Sequence, residues 1–185
     1  MGKSRPRHFH PGCLVLRSER RSSQGLGGRN GLEMQSRLDP FEAAPELTNV
    51  LLQLEQKLRT SGLEPSLIHL VKTRASQLNG CAYCLHMHVT AARAAGEPEM
   101  RLHLLSAWRE SPLYTARERA ALAWTESLTL LASTGAPDDV YAQMAAEFSE
   151  TERAKLTFVI IAINGWNRLA VGFRRVHPTD DLAAA

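Results

Sequence analysis

From Met34 onward, apolar residues recur at steps of three and four, the period of a helix that buries one face. Pro45 opens a segment with Leu47, Val50, Leu51, Leu54 and Leu58 on one stripe, closed by Gly62. Pro65 opens a second, carrying Leu67, Ile68, Val71, Ala75 and Leu78, and Asn79-Gly80 can end it and lead into a third that runs to about Gly96. A fourth follows Pro98, with Met100, Leu102, Leu104, Leu105 and Trp108. Thr115-Ala116-Arg117-Glu118 is a capping box and predicts a long helix through Ala121, Leu122, Trp124, Leu128 and Leu131. Pro137 starts a short helix to about Phe148. Ser149-Glu150-Thr151-Glu152, a second capping box, precedes Leu156, Val159, Ile160, Ile163, Trp166 and Leu169. No useful run alternates apolar and polar residues. The pattern predicts an all-α, compact bundle of about six to seven helices joined by short breaks.

Composition changes the picture at the N-terminus. Residues 1–33 are rich in Arg, Ser and Gly, show no helical or strand period, and read as a disordered basic extension. They hold seven of the 22 Lys and Arg and two of the 19 Asp and Glu, so the remainder carries 15 basic and 17 acidic residues. The predicted organisation is the extension 1–33, a helical domain over 34–175 and a C-terminal tail, 176–185. The pI of 9.0 therefore belongs to the extension and argues little for nucleic acid. A basic nucleic-acid arm is the alternative reading of it, although few aromatics are present to stack on bases. A start at Met34, with the preceding residues as upstream translation, is another. No eighteen-residue apolar run predicts a membrane span, and Cys13-Leu14-Val15-Leu16 is too short for a secretory core. Three cysteines, two of them in one motif, do not resemble a secreted disulfide framework, so the expected compartment is cytoplasmic.

The chemistry concentrates in Gly80-Cys81-Ala82-Tyr83-Cys84-Leu85-His86-Met87-His88. On a helix, Cys81, Cys84 and His88 share a face at steps of three and four. The sulfurs fall in the first turn, where the dipole and unpaired N–H groups favour a thiolate, and a neighbouring imidazole can take the thiol proton. Three readings stay open on spacing: a redox pair cycling to a disulfide, a zinc site of Cys81, Cys84, His88 and one more ligand, or two small buried hydrophobes. No second Cys-x-x-Cys or His-x₃-His is present for zinc. His86 lies about 200° round the helix from Cys84 and should point away. If the chain reverses at Asn79-Gly80, His69 stands about 15 Å from the turn and His88 about 12 Å, nearly level. Packing between Leu67 and Leu70 would explain His69 equally well. Lys72 and Arg74 read as solvated or paired with acids, and the tryptophans as core or subunit interface. Asn164, Asn167 and Arg168 on an apolar helix need partners if buried.

Four blocks carry a family resemblance across about 34–173: Lys72 to Cys84 with His88, Ala107 to Pro112, Glu118 to Glu126, and Ile163 to Arg168. Together they resemble the alkylhydroperoxidase D-like group within the carboxymuconolactone decarboxylase superfamily. The resemblance implies a helical fold assembling into a homo-trimer or homo-hexamer. It also implies a cofactor-free, thiol-dependent peroxidase that reduces hydroperoxides, without a metal, and is recharged by a thioredoxin-like or lipoyl-type protein. Mapped onto this chain, Cys84 is the attacking thiolate, Cys81 the resolving thiol and His88 the relay base. The family's relay glutamate falls at His69, an imidazole that supplies no carboxylate. Tyr83 and His86 also depart from the usual residues. Three alternatives follow: a non-catalytic redox-sensing or interaction protein, a decarboxylase-type enzyme, which typically lacks the cysteine pair, and a zinc-binding module. Neither a nucleic-acid nor a membrane partner is expected.

Overall fold

A computed structural model describes residues 34–179. The extension 1–33 and the end of the expected tail, 180–185, lie outside the described residues. The described chain is helical, and no strand occurs in it. In order the helices are α1 (Pro40–Ala43), α2 (Pro45–Arg59), α3 (Pro65–Leu78), α4 (Ala82–Ala94), α5 (Glu99–Leu104), α6 (Ala116–Thr129), α7 (Leu131–Thr134), α8 (Asp138–Glu147) and α9 (Glu150–Gly172). A 3₁₀ turn, Leu105–Ala107, continues α5. The seven helices the pattern predicts are all there. The two additions, α1 and α7, are single turns, too short to show a period.

The starts follow the sequence signals. Proline opens α2 and α3, where a missing N–H costs nothing. Both capping boxes are complete: Thr115 and Glu118 satisfy one another's backbone N–H groups at α6, and Ser149 and Glu152 do so at α9. The predicted long helix is interrupted, however. It ends at Thr129, and Leu131 falls in α7, 52% exposed rather than on the buried stripe. Thr134 Oγ1 donates to the Ser127 carbonyl at 2.6 Å, folding the chain back where the helix would have continued.

Three helices, α3, α6 and α9, form the middle of the bundle; α3 packs on α4, α6 and α9, and α8 covers α6. The main core joins Leu67, Ile68 and Val71 of α3 to Ala121 and Trp124 of α6 and Val159 and Ile160 of α9. Burying such side chains contributes about 1.5–3 kcal/mol each. The apolar stripe of α2 is only partly used: Leu58 is buried, but Leu47 and Val50 are exposed. On α9, Phe158 and Ile161 face outward at 52% and 53% exposure. The described residues leave these apolar faces uncovered.

Candidate functional site

The site begins at the end of α3. Gly80 takes the left-handed conformation, φ +63°. Its N–H donates to the Gln77 carbonyl at 3.2 Å, and the Cys81 N–H donates to the Ser76 carbonyl at 3.0 Å. This pair of bonds is a Schellman motif, which glycine permits because it has no Cβ to clash. The motif reverses the chain and delivers Cys81 as the N-cap of α4, its sulfur accepting the Cys84 N–H at 3.3 Å. Cys81 and Cys84 form a disulfide with Cα atoms 5.4 Å apart. Both are buried, at 1% and 2% exposure, in a cluster with Ala75, Ile163 and Ala170, against which Tyr83 and Trp166 pack.

Amides hold this turn to α9. The Asn79 side chain donates to Asn167 Oδ1 at 2.8 Å and to Asn164 Oδ1 at 3.1 Å. Asn167 donates onward to Ser76 Oγ at 3.1 Å, and Asn164 to Thr129 Oγ1 at 3.1 Å. Arg168 donates to the Asn164 carbonyl and Oδ1. The polar residues that looked out of place on an apolar helix thus satisfy one another and brace the cysteine turn.

His88 is half-buried on α4, one turn beyond Cys84. Burial, and after it the positive charge of Lys72, His69 and Arg59, push its imidazole down to about 3. His69 on α3 is also half-buried and pushed down, first by burial, then by Lys72 and Arg59, with Glu97 opposing. Its Nδ1 is buried without a hydrogen-bond partner. In both rings burial, the largest cause, disfavours the charged form. Lys72 is buried, paired with Glu55 of α2, and Arg74 bonds Glu126 at 2.7 Å.

His86 faces elsewhere. It stacks on His177, ring centroids 5.3 Å apart. Nearby, the Arg175 guanidinium lies 4.5 Å from the Tyr83 ring centroid and 4.8 Å from that of Phe41. Phe41 in turn stacks on Trp166. The start of the expected tail therefore lies against the helix that carries the cysteines. Sequence reasoning missed this because the segment has no period; its aromatic and cationic side chains were the available signal, but their partners are distant in the chain.

Among the described residues, no group of three or more His, Cys, Asp or Glu side chains is placed to hold a metal ion, and no helix is long and apolar enough to cross a membrane.

The sequence profile of the carboxymuconolactone decarboxylase family matches residues 45–127. Protein YdfG of Bacillus subtilis (strain 168) is 36% identical over 138 residues, 75% of this chain and 94% of that one. Among solved structures, the Agrobacterium tumefaciens protein ATU0492, a protein of unknown function proposed to be the antioxidant defence protein AhpD, is 48% identical. It superposes with a TM-score of 0.77 over 79% of this chain and 100% of that one. The debrominase Bmp8 shares the fold, with a TM-score of 0.70 over 77% of each chain at 17% identity. With its helical architecture and its cysteine turn, the chain belongs to the carboxymuconolactone decarboxylase family, on the AhpD-like side of that superfamily.

Proposed function

We propose that this protein is a thiol-dependent peroxidase of the antioxidant type, acting in the cytoplasm on a hydroperoxide. The observation that carries this reading is the Cys81–Cys84 disulfide at the start of α4, with His88 one turn further on, in a chain of this family. In the reduced protein, the Cys84 thiolate attacks the hydroperoxide; the O–O bond breaks, an alkoxide leaves, and Cys84 becomes a sulfenic acid. His88 takes the thiol proton and returns it to the alkoxide, with His69 behind it. The Cys81 thiol then attacks Cys84, forming the disulfide and releasing water. An external dithiol protein, thioredoxin-like or lipoyl-type, gives the two electrons that reopen it. The test is peroxide consumption with a dithiol donor, compared with Cys84→Ser. Turnover that survives in Cys84→Ser would overturn the reading.

One observation favours a second reading. His69 stands where the family resemblance expects a carboxylate; burial disfavours its charged form, and its Nδ1 has no hydrogen-bond partner. A relay weakened in this way suits a redox sensor whose disulfide forms without sustained turnover. Stoichiometric disulfide formation with peroxide, without continued consumption in excess dithiol, would favour it.

We further propose that the chain works as a homo-trimer or homo-hexamer. The uncovered apolar residues of α2 and α9, and the α8–α9 groove lined by Tyr141, Met144, Phe158 and Ile161, support this.

A further inference from the structure

Cys81 and Cys84 are both buried, so a thiolate from outside reaches their disulfide only when whatever covers it moves. The half-buried rings of Tyr83 and Trp166 pack against the cysteine cluster. Each ring is covered in turn. Phe41 stacks on Trp166, ring centroids 6.0 Å apart, and the Arg175 guanidinium lies over both Tyr83 and Phe41. These outer groups come from the two ends of the described chain, not from its packed middle helices. Phe41 sits in the single turn α1, whose N-cap Asp39 accepts the Phe41 N–H at 2.8 Å, and Arg175 follows α9.

The two ends are tied to one another. The Arg37 N–H donates to the Phe173 carbonyl at 2.9 Å, and its guanidinium to the Gly172 carbonyl at 3.1 Å. Helix α9 closes in a Schellman motif: the Arg175 N–H donates to the Ala170 carbonyl at 2.8 Å and the Arg174 N–H to the Val171 carbonyl at 3.2 Å. The left-handed position here is Arg174, φ +54°, a conformation that a side chain disfavours and that neighbouring contacts must hold. Beyond it exposure alternates: Phe173, Arg175 and His177 are half-buried, whereas Arg174, Val176 and Pro178 are exposed. That alternation marks an extended segment docked by one face. Its inward residues put Arg175 on the aromatic rings and His177 on His86 of α4.

We propose that Phe41 and Arg175 form a clasp over the cysteine turn that gates reduction of the Cys81–Cys84 disulfide by a dithiol. Ring contacts and a strained turn at the end of a helix open locally, while the bundle beneath stays folded. With the clasp open, one thiolate of the dithiol attacks a cysteine sulfur and the S–S bond breaks, leaving a mixed disulfide. The second thiol of the donor then displaces that sulfur. The donor ends as its own disulfide, and Cys81 and Cys84 end as thiols. The clasp concerns the oxidised chain and is tested without peroxide, so it stands apart from the peroxidase reading.

The experiment measures the rate at which dithiothreitol reduces the full oxidised chain. Newly freed Cys81 and Cys84 are trapped with iodoacetamide and counted by peptide mass. Arg175→Ala and Phe41→Ala should each raise the rate about threefold or more. Val176→Ala, on the outward face of the same segment, should leave it unchanged. The gain should persist without steepening in sub-denaturing urea, because local opening exposes little surface and global unfolding exposes much. If one variant does not fold, the other carries the test. Wild-type rates in the folded variants, or a gain that grows with urea in step with global unfolding, would overturn the clasp. Faster reduction in variants of a chain that consumes no peroxide would support the clasp and overturn only the peroxidase reading.

Discussion

The side chain of Asn79 donates to Asn167 Oδ1 at 2.8 Å, joining the turn that precedes Cys81 to the middle of α9. These residues are far apart in sequence, and between them they fix where the cysteine helix begins. Asn79→Ala would remove this donor from Asn167 and from Asn164 and should cost about 1–3 kcal/mol. Chemical denaturation measures the loss, and faster reduction of the disulfide by a fixed dithiol should accompany it. An Asn79→Ala chain as stable as wild type would show that the amides do not brace the turn.

Gly80→Ala isolates the backbone part of the same device. No atom stands within 4 Å of where a Cβ would sit, so the expected cost is conformational and comes from φ +63°. A non-glycine residue in that region should lose about 1–2 kcal/mol. A change below a few tenths, read from denaturant midpoints, would contradict the Schellman turn as the element that aims Cys81.

Glu126 gathers three donors: Arg74 at 2.7 Å, Trp108 Nε1 at 2.8 Å, and Arg109. Despite its burial, these bonds hold the carboxyl below its usual range. Glu126→Ala leaves Arg74 half-buried without its carboxylate partner, and about 3 kcal/mol of destabilisation is expected. Thermal melts of the variant beside Glu110→Ala, an exposed neighbour, would separate this effect from general surface change.

Acid should unfold the protein partly through His88. Its folded value, about 3, lies below that of an unfolded imidazole, so the unfolded chain binds the proton more readily. The corresponding stability is present above about pH 6.5 and is lost as pH falls toward 3, on the order of a few kcal/mol at most. His69 acts in the same direction. His88→Gln should therefore lose less stability than wild type between neutral pH and about pH 4.5, where wild-type His88 is still the group resisting protonation. Parallel loss in both proteins would refute this account of the site.

His86→Ala should leave Cys84 alkylation almost unchanged, because His86 stacks on His177. What it should change is the C-terminal segment. Trypsin should cut faster at Arg174 and Arg175 in the variant than in wild type. Slowed alkylation with unchanged cleavage would return His86 to the thiol chemistry.

Much of this architecture is written locally. The 3.6-residue apolar period, the prolines that open α2 and α3 and the two capping boxes give the helices, since each signal acts within a few residues of the backbone it satisfies. The spacing of Cys81, Cys84 and His88 on one face is equally local, being fixed by helix geometry. The break at Thr129 escaped the period because Thr134 folds back onto Ser127, a competition that apolar spacing does not record. Tertiary structure alone decided which polar groups meet. Lys72 reads in sequence as solvated or paired with an acid; the fold buries it and selects Glu55 of α2 as that acid. The same holds for Asn79 with Asn167, and for Arg175 on Tyr83 and Phe41. Such pairs join residues remote along the chain, and their energies arise only once burial has removed the water that would otherwise satisfy each group separately.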